Sequence, residues 1–166
     1  MKPPPPPSTT DLLSALRSVA LASPVLVARL GGPHVYAPPL PASLPYPAAA
    51  LLVSETGSAF APSLAADGMT RPVSVLVRAE VAASAHEGYN ASAHLDGVLR
   101  AAYDALVSDA FGGQRASVND ALGPRSELAA AVSLLRPSGP LFADDGRGVL
   151  FKQIVLATAL RPRPLP

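Results

Sequence analysis

The sequence predicts an α+β fold, a mostly antiparallel sheet of four to five strands with two helices packed on one face, in the order α-β-β-β-α-β-β. Three observations carry this expectation. Two segments, one beginning at Thr10 and one spanning about Glu87 to Asp109, repeat apolar residues at helical spacing. Arg71 to Ala83 alternates strictly enough to be a strand with one buried face. The last third holds two further apolar segments separated by a glycine-containing turn. Strands grouped in this way, without regular β-α-β alternation, favour helices gathered on one side of an antiparallel sheet.

Each element has a local reason. Thr10 is a good N-cap and Asp11 suits a positive helix start, and Leu12, Leu13, Leu16, Val19 and Ala20 then form one apolar stripe. Ser23-Pro24 is expected to end this helix. VLVARLGGPHVY follows, with a short apolar piece, a Gly31-Gly32-Pro33 turn and a brief strand at His34-Val35-Tyr36. The proline-dense PPLPASLPYP, residues 38–47, is read as an extended crossing at the rim of the sheet that delivers the chain into a strand over Ala48 to Glu55. Thr56 to Thr70 is a long polar loop or hairpin arm carrying Phe60 and Met69.

In Arg71 to Ala83, Val73, Val75, Val77, Ala79 and Val81 face one way, and Ser74, Arg78 and Glu80 the other. Leu76 breaks the polar pattern, so that second face is expected to be partly covered. The second helix places Leu95, Val98, Leu99, Ala102 and Leu106 on one side and Asp96, Arg100 and Asp104 on the other, with Gly112-Gly113 as its stop. Leu128 to Leu135 and Val149 to Leu160 complete the sheet, and Asp145-Gly146 and Gly148 supply turn chemistry between them. The domain is expected to span residues 10–160, between a disordered Pro-rich arm over residues 1–9 and an extended Pro/Arg tail over 161–166.

Composition narrows the function classes. The 166 residues are enough for one domain with its own core. Aromatics are 5% and Trp is absent, so that core is built from Ala, Leu and Val. Charged residues are 15%, against about 25% in an average soluble domain, which suggests a surface partly covered by copies of the same chain. The formal net charge is +1, without the basic excess or stripe of a nucleic-acid reader. There is no cysteine, so disulfides, zinc–thiolate sites and a Cys nucleophile are excluded. MKPPPPPSTT lacks the apolar stretch of a secretory signal, and no apolar run approaches the ~20 residues of a membrane span.

The residues offer little chemistry. His86 and His94 do not have the i, i+4 spacing of a helical metal pair, and His34 stands apart. Asp144-Asp145-Gly146 lacks the alternating ligands of a calcium loop and reads as a tight turn. Asn90-Ala91-Ser92 matches a glycosylation sequon with no secretory signal to give it meaning. No phosphate loop and no G-x-S-x-G elbow occurs. Glu80 and Glu87 do not form a recognisable acid–base pair, and Glu80 reads as a strand glutamate facing solvent or a neighbouring subunit. No catalytic, cofactor-binding or metal-binding residue is assigned, and the chain is not expected to be an enzyme.

Three stretches taken in order, TDLLSALRSVALA, GGPHVYAPPLPASLPYPAAALLV and RPVSVLVRAEV, resemble the tail terminator (tail completion) proteins of long-tailed bacteriophages. In that family a G-x-VY element leads through a proline-containing loop to LPY and a strand. A long strand, a helix and a closing hairpin follow, and GRGVLFKQIVLATAL is similar to the closing strand. The Pro-rich N-terminus and the longer, Ala-rich ASVNDALGPRSELAAAV connection depart from the pattern.

The resemblance implies a virion structural protein that forms a ring, a hexamer, on the end of the completed tail tube. The ring would end tube polymerisation and dock the head connector, and double-stranded DNA would pass through its lumen without sequence readout. Its partners would be copies of itself, the tail-tube protein and the connector, at the head-proximal end of the tail, after assembly in the host bacterial cytoplasm. Within that picture Arg71, Arg78 and Glu80 are candidate subunit contacts, and Phe60, Asp144, Asp145 and Arg147 candidate contacts to the tail tube or connector. Phe60 equally suits folding back onto its own core. Two alternatives stay open: a head–tail adaptor or tail-tube subunit of the same machine, and a small α+β ligand-binding protein or enzyme.

Overall fold

A computed structural model describes residues 9–41, 44, 50–55, 70–85, 88–107 and 113–163. The Pro-rich arm, most of residues 42–49, the loop with Phe60 and Met69, and His86 lie outside the described residues. The elements are α1 (Thr9–Leu21), α2 (Pro24–Leu30), β1 (Val35–Tyr36), β2 (Ala50–Glu55), β3 (Arg71–Ala82), α3 (Gly88–Leu106), α4 (Gly113–Leu122), β4 (Ser126–Arg136), β5 (Phe142–Asp144) and β6 (Val149–Pro162). The fold is α+β and its sheet is mainly antiparallel, as the sequence predicts. Strand order is β1-β2-β3-β6-β4, with β5 also on β6, and only the short β1–β2 pair is parallel.

The centre of the sheet is the β3–β6 ladder. All twelve residues of β3 pair antiparallel with β6, from Arg71 opposite Leu160 to Ala82 opposite Val149. Opposed residues share a face. Val73, Val75, Val77, Ala79 and Val81 therefore join Ile154, Leu156 and Leu160 on the helix side, all of them buried. Leu12, Leu16, Leu26, Leu30, Leu95, Leu106 and Val118 from the helices fill the same cluster.

Two helices beyond the expected pair contribute to this layer. Ser23-Pro24 ends α1, as its sequence suggests, but it also starts α2. The Ser23 Oγ accepts a hydrogen bond from the Leu26 N–H at 3.3 Å, Pro24 takes the first helical turn, and Gly31 closes the helix at φ 75°. These are N-cap, N1 proline and left-handed C-terminal glycine signals around a helix of only seven residues. α1 and α2 meet at 89°. α2 packs on α3 where Gly97 makes room: a Cβ there would lie 2.8 Å from Arg29 Nη1.

α4 occupies part of the long, Ala-rich connection, and Gly113, expected in the stop of the preceding helix, is instead its first residue. Its Asn119 Oδ1 accepts the Leu128 N–H at 2.7 Å, tying α4 to β4. The closing strand runs two residues beyond Leu160, so that Arg161 stands in the ladder opposite Glu127 and bonds it at 2.7 Å. No helix among the described residues is long and apolar enough to cross a membrane by itself.

Leu16 is fully buried at the centre of the α1 stripe. Leu16→Ala should lower unfolding stability by about 2–5 kcal/mol, read from the midpoint of urea unfolding followed by circular dichroism.

Candidate assembly surface

Among the described residues, no helix packs on the second face of the β3–β6 ladder. Its opposed pairs are Pro72 with Ala159, Ser74 with Ala157, Leu76 with Val155, Arg78 with Gln153, Glu80 with Phe151 and Ala82 with Val149. Apart from Glu80 and Val149, these residues are all partly exposed. The irregular Leu76 is thus one half of a cross-strand apolar pair, and small or apolar side chains continue through Ala157 and Ala159. A sheet face of this composition is more apolar than the solvated face of an ordinary antiparallel sheet, where polar residues alternate outward.

One end of the face is built around a carboxylate. Alternation places Glu80 toward solvent or a neighbouring subunit, yet within this single chain its side chain is completely buried. Its carboxylate is held by Arg147, from the turn between β5 and β6. Its two terminal nitrogens donate to the two Glu80 oxygens at 2.9 and 3.1 Å, a bidentate fork. Arg78, two positions away on the same face, adds a contact at 3.8 Å. Arg78 also donates to Gln153 Oε1 at 3.3 Å and lies 4.2 Å from the centre of the Phe151 ring. Phe142 stacks on Phe151 with centroids 5.4 Å apart.

Sequence reading separates Arg78 and Glu80, as subunit contacts, from Arg147, as a hairpin-tip contact. The structure brings all three together. Asp144 sets the turn that makes this possible: the Arg147 N–H donates to its main-chain oxygen at 3.2 Å and to its Oδ1 at 3.3 Å. Asp145 is exposed on the same turn. Arg71 falls at the other end of β3, on the register of the buried Leu160, and so does not share the face of Arg78 and Glu80. Phe60 lies outside the described residues. Phe142 and Phe151 were missed because nothing local marks them as a pair. The signal was the turn at Asp145-Gly146, which pairs them once its register is known.

On the helix side, Lys152 is buried and its Nζ donates to Asp96 Oδ1 at 2.9 Å, joining β6 to α3. A groove of about 740 Å³ runs between α1, α3 and α4, lined mainly by alanine and serine with Val19, Val25, Asp104 and Asp120. Its lining contains no histidine. Among the described residues, no three His, Cys, Asp or Glu side chains gather as a metal-binding group. His34 is engaged locally, with Nδ1 3.1 Å from the Tyr36 hydroxyl.

No protein-family model and no curated protein matches the chain. Among solved structures it is similar to a chain of the virion of native gene transfer agent (GTA) particle. The TM-score is 0.56 at 18% sequence identity, and the likeness covers 90% of this chain and 94% of that one. The two chains share a fold over nearly their whole lengths.

Arg147→Ala should cost about 1–3 kcal/mol, because the Glu80 carboxylate loses its bidentate donor while Arg78 stays beside it. Replacing both groups, Glu80→Met with Arg147→Met, should recover most of that loss in the same urea titration. A double variant no more stable than Arg147→Ala would show that the fork is not what holds this end of the face.

Proposed function

We propose that this chain is a structural subunit of a phage-like virion, assembled with other virion proteins. The observation that carries the reading is the shared fold with a chain of a gene transfer agent virion, which extends over almost all of both chains. The largely apolar face of the β3–β6 ladder, on which no helix packs among the described residues, supports it, since a face of that kind is suited to burial against other subunits.

Within that class, the reading we favour is a tail terminator. The order of elements through GGPHVY, LPY and RPVSVLVRAEV is the family-like part of the chain. In this role copies form a ring, a hexamer, that caps the completed tail tube, ends its polymerisation and docks the head connector at the head-proximal end of the tail. Double-stranded DNA passes through the lumen, and a net charge of +1 gives the ring little hold on phosphate. Arg71 and Arg78 are proposed to contact neighbouring subunits, and Asp144, Asp145 and Arg147 to meet the tube or connector. Glu80 acts one step back, by holding Arg147 in place.

Negative-stain microscopy of the purified chain, with light scattering for its mass, tests the reading. Single closed rings of uniform diameter are expected. Stacked tubes of indefinite length would instead identify a tail-tube subunit, and a strict monomer at high concentration would count against a self-assembling ring.

A further inference from the structure

We propose that copies of this chain join edge to edge through their backbones, the outer edge of β4 in one copy pairing antiparallel with the outer edge of β2 in the next. The inference rests on the ring reading and says where its joint lies. Among the described residues, each of these edges has a stretch with no strand beyond it. The strand that β4 pairs with is β6, and near its start the Leu128 N–H is taken by Asn119 of α4. On the far side of the sheet, β1 covers only Leu51 and Leu52 of β2, so Val53–Glu55 have no strand beyond them among the described residues. β1 cannot extend far along them, because Pro38 and Pro39 follow almost at once and have no N–H to donate.

Direction and height both fit. β3 runs against β2 and against β6, and β6 runs against β4, so β4 and β2 point in opposite senses. When a second copy is placed beside the first with its strands in the same orientation, β4 meets β2 as an antiparallel neighbour. The alternation of the sheet then continues across the joint.

Height follows from the registers. Arg136 is opposite Val155, Val155 opposite Leu76, and Leu76 opposite Ser54. Likewise Leu134 is level with Leu156, Val75 and Glu55. The end of β4 and the uncovered end of β2 therefore lie at one height along the strands. A neighbour reached this way is related by rotation without a shift along the strand direction. A head-to-tail contact of that kind closes into a ring, whereas one with a shift winds into a filament. A foreign strand would have no need of this match, which is why the occupant assigned is a second copy.

β4 contains neither Lys nor Pro, residues that commonly block exposed edges, although three register shifts interrupt its ladder with β6. Leu134 and Leu135 at its end are 39% and 60% exposed.

The chain has no cysteine, so introduced pairs report cleanly. Directly opposed residues across an antiparallel joint have Cα atoms about 4.5–5.5 Å apart, inside the range a disulfide spans. In the full-length chain, Ser54→Cys with Arg136→Cys should give, on mild oxidation, a ladder of covalent oligomers on a non-reducing gel that stops at the ring size. Each single variant should stay uncrosslinked. If the double variant forms rings in the micrographs but its two introduced thiols do not crosslink, the edge joint is overturned and the ring reading stands. Crosslinking of Arg136→Cys alone also overturns it, in favour of a symmetric β4–β4 contact. A chain that forms no ring overturns both.

Discussion

Everything in this fold is referred to the β3–β6 ladder. Twelve consecutive antiparallel pairs without a register shift fix which residues share a face. A slip of one position would exchange the faces, exposing Val73, Val75 and Val77 and burying Ser74 and Arg78 against the helices. The hydrophobic pattern of β3 excludes that slip, and β6 matches it with Ile154, Leu156 and Leu160. The helix layer then has one place to go. β4, by contrast, follows β6 through three irregularities, as suits a strand at the edge.

The same ladder carries a charged residue near its end on each face. Lys152, opposite Ala79, is buried on the helix side and reaches Asp96 of α3. Glu80, opposite Phe151, is buried on the other side and is held by Arg147 and Arg78. Both pairs join the ladder to a segment distant in sequence. An ion pair with one buried partner adds little net stability, but separating it leaves the buried charge unpaired and so penalises other arrangements. Their effect here is to specify where α3 and the β5–β6 turn sit. The turn in turn places Phe142 on Phe151 and so shapes the open face.

The strands were legible because alternation survives in a chain of small apolar residues. α1 and α3 were legible because their stripes are long enough to show a period. α2 was not, since seven residues give too little periodicity, although Ser23, Pro24 and Gly31 mark both of its ends. α4 was hidden for a different reason. Its apolar stripe is weak, two glycines mark its start, and it is held partly by Asn119 bonding to β4, an interaction that no local pattern displays.

By itself the sequence determined the fold class, the two faces of β3, the absence of thiol chemistry and, through Leu76, that the second face of β3 is not uniformly polar. These follow from residue type and period, which are local. Only the tertiary structure decided that Glu80 is held in a buried ion pair, because its partner, Arg147, lies 67 positions away. The closeness of Phe142 and Phe151, and the equal heights of the two open edges, were decided in the same way. Both depend on the register of strands far apart in the chain, and register exists only once the ladder has formed.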